Sequence, residues 1–317
     1  MRYSWIGLWL FLSVPVVAST AFFDNSFGIR SLGMGGTAIA AFHSAESPLW
    51  GLPSETETGS VALESGNLYG VPYWSAAWTK AFEIQPLQIS YIGSVQSGIP
   101  RTVISQGGNP TETGDTFGTQ FHRVDATWTV RSFQEMRVGV TATGYFEAID
   151  TERAYHPSIG LTILEPAGPD SPWSWLLGIS NILSTGHAWS TGRVDETIRT
   201  LRLGGAGPVW PTTAAAIELA YSQTGYWFSQ PFHLSQLTLS LGGEVLVVQT
   251  ETMKGLFVRT GLKDMSLASL YTPQWTAGIG MQFRDWQLDY AYVMPLHAFL
   301  EQMHRFQVTV YLPQSEQ

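Results

Sequence analysis

The chain of 317 residues carries 16 Lys+Arg against 25 Asp+Glu, a formal net charge of −9, and no cysteine. The acidic balance speaks against a nucleic-acid partner, and the missing thiols exclude a disulfide framework and a thiolate metal site. Charged residues reach only 13%, beside 13 Trp and 32 Gly; a soluble domain carries about 25% charge, so the composition points to an outside that meets lipid around a polar inside.

The first eighteen residues read as an export signal. Arg2 supplies the positive start, Ile6 to Val17 the apolar middle, and Val16-Val17-Ala18 a small-residue cleavage site, with Ala21 as a second candidate. Beyond them no apolar run reaches the roughly eighteen residues of a spanning helix. An exported chain of this composition then crosses a bilayer as a closed barrel, which satisfies every backbone group within hydrocarbon.

Residues 19–59 are rich in glycine and punctuated by proline: Gly28, then Ser31-Leu32-Gly33-Met34-Gly35-Gly36, a small-residue run from Thr37 to Ala41, and Pro48 to Pro53. Such sequence favours tight turns and close backbone approach over regular structure. It suits a plug-like segment tucked inside a barrel, with Arg30, Gly33, Met34, Gly35 and Gly36 as the candidate plug or gating residues.

From Ser60 onward the pattern has period two. Apolar residues alternate in fourteen runs, beginning with Val61 and Leu63, then Trp74, Ala76 and Trp78, and ending with Trp275 to Phe283, Trp286 to Tyr292 and Phe306 to Leu312. The expected fold class is therefore all-β: a transmembrane antiparallel β-barrel of about 14 strands over residues 60–317, with the N-terminal segment as its plug. If both ends of the chain lie on the periplasmic side, the outer links are 70–72, 95–119, 148–154, 183–197, 223–234, 263–273 and 294–303. The inner ones are about 83–85, 132–135, 165–171, 206–211, 249–252 and 284–285. Longer outer than inner links are the habit of outer-membrane barrels.

The opposite face of the strands is the expected lumen. It carries Arg123, Asp125, Arg137, Glu147, Arg202, Glu218, Glu244, Arg259, Asp289 and Arg305. Such charges either pair across neighbouring strands and hold the barrel shut, or select a solute. Trp74, Trp173, Trp275, Trp286 and Tyr311 stand near strand ends, where an interfacial aromatic girdle belongs. Gly178-Ile179-Ser180-Asn181-Ile182 misses the last glycine of a Gly-x-Ser-x-Gly elbow and sits in a strand. The seven histidines, at 43, 122, 156, 187, 233, 297 and 304, lack ligand spacing and read as loop or interface residues. No catalytic residue, metal or cofactor is expected.

Four stretches resemble one family. Arg30-Ser31-Leu32-Gly33-Met34-Gly35-Gly36-Thr37-Ala38 is similar to the N-terminal signature of PorV/PorQ-like and related outer-membrane proteins of the FadL-type fatty-acid transporter superfamily. Leu176 to Ile182, Leu201 to Gly205, and Thr276 to Val293, with its Gln287-Leu288-Asp289-Tyr290-Ala291-Tyr292-Val293 core, resemble its later strands. The resemblance implies a fourteen-stranded barrel in the cell outer membrane of a two-membrane bacterium, with an N-terminal segment folded into or against the lumen. The family's Trp-Asn-Pro-Ala-Gly-Leu turn is replaced here by Leu49-Trp50-Gly51-Leu52-Pro53, without the Asn. A polar tail, Pro313 to Gln317, follows Tyr311-Leu312, where many such barrels end on an aromatic residue. Expected partners are outer-membrane lipid and either a small hydrophobic solute, taken up passively, or a secretion or envelope protein docked on the outer loops.

Overall fold

The computed structural model describes residues 28–37, 59–68, 70–80, 87–104, 110–131, 136–167, 171–225, 231–267, 273–295 and 302–312. The signal, residues 19–27 and 38–58 of the plug-like segment, the Trp50 turn and the C-terminal tail lie outside them. Within the described residues one helical turn, α1 (Ile29–Gly33), precedes a single antiparallel sheet. Its strands are β1 (Ser60–Leu68), β2 (Val71–Lys80), β3 (Leu87–Ile104), β4 (Pro110–Arg131), β5 (Arg137–Ile149), β6 (Glu152–Glu165) and β7 (Ser174–Ser184). After the short β8 (His187–Trp189) and β9 (Val194–Asp195) come β10 (Ile198–Trp210), β11 (Thr213–Thr224), β12 (Leu237–Val248), β13 (Met253–Ser266), β14 (Gln274–Phe283), β15 (Trp286–Pro295) and β16 (Met303–Tyr311).

Each long strand pairs with its neighbours in the chain, and β1 pairs with β16 from Ser60↔Tyr311 to Gly66↔Arg305, so the sheet closes. Fourteen strands make the wall; β8 and β9 form a hairpin laid against the end of β6. The rim where Ser60 meets Tyr311 is called inner below, the opposite one outer. Closure leaves no open sheet edge in the wall, the condition for a β-structure in hydrocarbon.

Side-chain burial fixes which way the sheet faces. On β16, Phe306, Val308 and Val310 are exposed while Arg305, Gln307 and Thr309 are buried; on β4, Val124 and Trp128 are exposed while Arg123, Asp125, Thr127 and Thr129 are buried. The same alternation puts Leu63, Trp74, Val140, Trp175, Ile217 and Ile279 outside. A soluble barrel would bury the aliphatic set. This wall presents it outward and keeps hydroxyls, amides and charges within, the arrangement of a lipid-embedded barrel.

All fourteen expected strands are present, with four departures in detail. The stretch 95–119 is mostly strand: β3 and β4 run on as a two-stranded ribbon past the last pairing of β4 with β5, at Thr119↔Ile149. Register shifts between Gln96 and Ile99 and between Pro100 and Thr102, with Gly98 at φ 74°, break the alternation that would have revealed it. Ile29–Gly33 is helical where only turns were expected, because the wall it packs against orders a turn too short to stand alone. Tyr311 faces inward and donates to Gln287 Oε1 at 2.7 Å instead of joining the lipid-facing girdle. His156 and His187 are buried inside the wall, not loop or interface residues.

Candidate functional site

The site is the place where the N-terminal turn meets the lumenal wall. Helix α1 lies against β13, β14, β15 and β16. One turn of helix has little stability of its own; what orders it is the surface it sits on. Ser31 Oγ donates to the Thr37 carbonyl at 2.8 Å, Gly36 N to the Ser31 carbonyl at 2.9 Å and Thr37 Oγ1 to the Met34 carbonyl at 3.0 Å, which closes residues 31–37 into a compact loop.

Three wall glycines make room for it. Gly242 on β12, Gly261 on β13 and Gly278 on β14 stand at neighbouring heights, Gly242 directly opposite Gly261. A Cβ at Gly242 would lie 2.1 Å from the Met34 carbonyl oxygen, one at Gly261 2.3 Å from Gly35 N, and one at Gly278 3.2 Å from the Gly33 Cα. Gly35 itself has φ 74°, and its own Cβ would meet the Leu241 carbonyl oxygen at 2.1 Å, so conformation and space both require glycine there. Thr276 Oγ1 pins the contact by donating to the Gly33 carbonyl at 3.1 Å and accepting from Gly35 N at 3.0 Å. The Gly-Met-Gly-Gly run and the wall glycines are thus two halves of one backbone-to-backbone fit.

Beside the seat runs a chain of alternating charge. Arg30 grips Glu244 with two bonds, Nη2–Oε1 at 2.6 Å and Nε–Oε2 at 3.0 Å. Glu244 Oε2 also accepts from Arg259 Nε at 2.6 Å, and Arg259 Nη1 reaches Asp289 Oδ1. Asp289 in turn accepts from Gln287 Nε2, and Gln287 from Tyr311. Arg259 and Asp289 are almost wholly shielded, so each charge depends on its neighbour for what water no longer supplies. The bidentate Arg30–Glu244 pair ties the helix to β12.

Two further units recur around the lumen. Arg305 donates to Glu64 and lies over the Tyr73 ring at 5.2 Å; Arg123 donates to Asp125 at 2.8 Å and lies over the Tyr145 ring at 5.2 Å. Thr143 Oγ1 adds a bond to Asp125 at 2.6 Å. Arg202 and Glu218 form a third ion pair at 2.6 Å. Near them an apolar patch interrupts the polar lining: Ile29 and Leu32 of α1 belong to one cluster with Tyr73, Ile92, Tyr145, Ala291, Val293 and Met303, against which Phe121 packs.

The structure therefore gathers Arg30, Gly33, Met34, Gly35, Gly36, Glu244, Arg259 and Asp289 into one site. Arg123 with Asp125, Arg202 with Glu218, and Arg305 stand elsewhere on the lumenal wall. Arg137 is half-buried at the inner end of β5, and Glu147 is buried near the outer rim, where the nearest His187 nitrogen is 4.0 Å away. Sequence reading missed Glu64, Tyr73 and Thr276. Glu64 had a signal, being the charged inward residue next to Leu63 in the first run; Thr276 had none, since its role depends on a partner more than 240 positions away. Among the described residues no group of three or more His, Asp and Glu side chains could hold a metal ion.

No protein-family model matches the sequence, and none of the curated proteins is similar to it. Solved structures are similar in fold. The toluene transporter TodX of Pseudomonas putida aligns with a TM-score of 0.53 at 12% identity, over 90% of this chain and 97% of its own. A TodX variant described as a monoaromatic hydrocarbon channel gives 0.54 at 10% identity, over 90% and 98%. A FadL homologue of Pseudomonas aeruginosa gives 0.49 at 8% identity, over 92% and 99%. What the TodX likeness establishes, with the closure of β1 on β16, is architecture: the chain is a closed fourteen-strand antiparallel barrel with the fold of bacterial outer-membrane barrels.

Proposed function

We propose that the protein is an outer-membrane barrel for passive uptake of a small hydrophobic solute, with residues 19–59 as its plug. The observation that carries this reading is the apolar cluster around α1 inside the barrel. Ile29 and Leu32 present aliphatic surface there to Tyr73, Ile92, Val293 and Met303, and a solute of like character competes for such surface without needing charge or catalysis. The solute enters past the outer links, displaces or shifts the plug, and is released by the same weak contacts. Arg123, Asp125, Arg202, Glu218, Arg259, Asp289 and Arg305, each already in an ion pair, act in this reading as struts of the wall. That TodX is described as a toluene transporter is in keeping with it.

The test is permeation through liposomes that contain the full-length protein. Passage of a monoaromatic probe, together with a rise in small-ion conductance when residues 22–40 are deleted, is expected. Equal passage with and without the barrel, or unchanged conductance after the deletion, refutes the reading.

A second reading has one observation in its favour, the β3–β4 ribbon. Among the described residues, 110–117 of β4 pair along β3 alone, so about eight residues, ~27 Å at the rise of a strand, extend past the β4–β5 ladder, whose last link is Asp150 N to the Gly118 carbonyl. Such a ribbon suits a barrel of the PorV/PorQ type that docks a secretion or envelope protein by strand addition. Removal of residues 97–117 abolishes partner recovery under this reading and leaves permeation intact.

A further inference from the structure

The wall changes partner near its outer rim. Strand β6 pairs with β7 as far as Ser158↔Ser184, and beyond that point its edge is covered by β8, through Tyr155↔Ala188 and Ala154↔Trp189. Only two residue pairs make that ladder. Ser190 adds bonds to the Arg153 carbonyl at 2.8 Å, from Arg153 N at 3.2 Å and to the Glu152 carboxylate, and the rest of the hold lies on the lumenal side.

There His187 stacks face to face on His156, ring centroids 4.5 Å apart and planes 21° from parallel. Tyr145 borders both imidazoles, at 5.2 and 5.8 Å. His156 is fixed: its Nδ1 meets the Gly186 carbonyl at 2.9 Å, and its Nε2 meets Ser184 Oγ at 3.2 Å and Thr197 Oγ1 at 3.3 Å. His187 is placed differently. It is 1% exposed, and neither of its ring nitrogens has a hydrogen-bond partner among the described residues. The charged groups facing it are Glu147 from β5, 4.0 Å from its Nδ1, and Asp195 from β9, with Arg199 of β10 beyond His156. A neutral ring packs in such a place as an aromatic; an imidazolium there would be dry, without an acceptor in bonding range and stacked on another imidazole.

We propose that the β8–β9 hairpin is an acid-released latch on the outer rim, closed while His187 is a neutral ring stacked on His156 and opened when His187 gains a proton in the solvated, undocked hairpin. This reading is independent of what the barrel carries. Burial first, and His156 second, pull the His187 pKa from 6.5 down to about 4, against an opposing pull from Asp195. The undocked hairpin regains the ordinary value, so it binds a proton over a pH range in which the docked one does not. Docking is therefore fully favoured above about pH 6.5 and weakens as pH falls toward 4. A displacement of two and a half decades corresponds to a shift of up to about 300-fold in the docking equilibrium, of which roughly half is reached at pH 4.

The experiment is hydrogen exchange on the full-length protein in liposomes, followed by mass spectrometry on peptides covering 185–197 and corrected for intrinsic rates. From pH 7.5 to 4.5, protection in the hairpin is expected to fall by on the order of a hundred-fold while β12–β16 stay protected. In His187→Phe the stack survives without a titrating nitrogen at position 187, and most of the loss disappears, what remains being that of His156, whose pKa burial also lowers. Should that variant fail to fold, the wild-type titration serves: the loss is expected to begin near pH 6.5, the ordinary imidazole value, and to approach a decade per pH unit below it. Constant protection down to pH 4.5, an equal loss in His187→Phe, or a wild-type loss that begins only below pH 5 overturns the proposal.

Discussion

Gly242→Ala separates the wall from the segment seated in it. Gly242 lies in β12 with ordinary strand geometry, where alanine is tolerated and even stiffens the strand by ~0.5–1 kcal/mol. Yet the added Cβ would stand 2.1, 2.5 and 2.7 Å from the carbonyl oxygen, carbonyl carbon and Cα of Met34. Contacts under 3.0 Å are not observed for a real Cβ, so the 33–36 turn must retreat by roughly 0.9 Å, the difference between 3.0 and 2.1. That retreat strains or breaks both Thr276 bonds, at about 1 kcal/mol each, on top of an overpacking cost of ~1–3 kcal/mol. Docking of the turn is then weakened by about 3–5 kcal/mol, a factor of 10² to 10³ or more in its seated fraction. The readouts are trypsin cleavage after Arg30 and single-barrel conductance in planar bilayers. Both are expected to rise in Gly242→Ala. Gly243→Ala is the matched control, since its Cβ meets nothing nearer than the Ala214 carbonyl at 3.8 Å. Wild-type cleavage and conductance in Gly242→Ala, or equal changes in Gly243→Ala, refute the seat.

Arg259→Met removes the guanidinium between Glu244 and Asp289 and leaves two shielded carboxylates across the gap; a loss of ~3–5 kcal/mol is expected, read as a lower urea midpoint of the folded barrel in detergent. Pairing with Asp289→Asn should return part of it, because Asp289 is the carboxylate that loses its cation, whereas Glu244 keeps Arg30. Leu63→Arg, on the exposed face of β1, is expected to cost ~2–4 kcal/mol when the protein is in a bilayer and little in the same strand exposed to water. Brominated lipids are expected to quench a large share of the tryptophan emission, since Trp74, Trp128 and Trp175 face outward; unquenched emission would place those faces away from lipid.

The barrel was legible because its physics is local. Each strand announces itself by period two over about ten residues, and the face that alternates greasy is the one that water cannot wet, so Trp275–Phe283 or Phe306–Leu312 needs no distant information. The ribbon was illegible for the same reason: the bulges between Gln96 and Thr102 spoil the period, and Thr, Gly and Pro there look like loop. Charged lumenal residues could be named one by one, but not who pairs with whom. Arg305 finds Glu64 only because β1 closes against β16, and His156 meets His187 only because β8 takes over the edge of β6. The glycines are the intermediate case. Gly33, Gly35 and Gly36 announced close backbone approach, while the surface approached, Gly242, Gly261 and Gly278, lay in strands where glycine reads as mere weakness.

Those wall glycines also say why the two devices of this barrel sit where they do. A glycine in a strand gives up side-chain packing and backbone entropy, and three at neighbouring heights on β12, β13 and β14 would leave a dent in a wall that bulkier residues could fill. The dent is filled by the backbone of residues 33–36, and the stability forgone in the strands returns only when that turn is present. Next to it, Glu244 is shared by Arg259 of the wall and Arg30 of the helix; without Arg30 it keeps one partner, enough to hold the wall closed. Seat and charge chain thus tolerate departure of the turn in different degrees, the charges well and the glycines poorly. Substitution of Arg30 by Met should accordingly loosen the segment by less than Gly242→Ala does. A larger effect of Arg30→Met on trypsin access and conductance would show that charge, and not backbone fit, holds the N-terminal turn in the lumen.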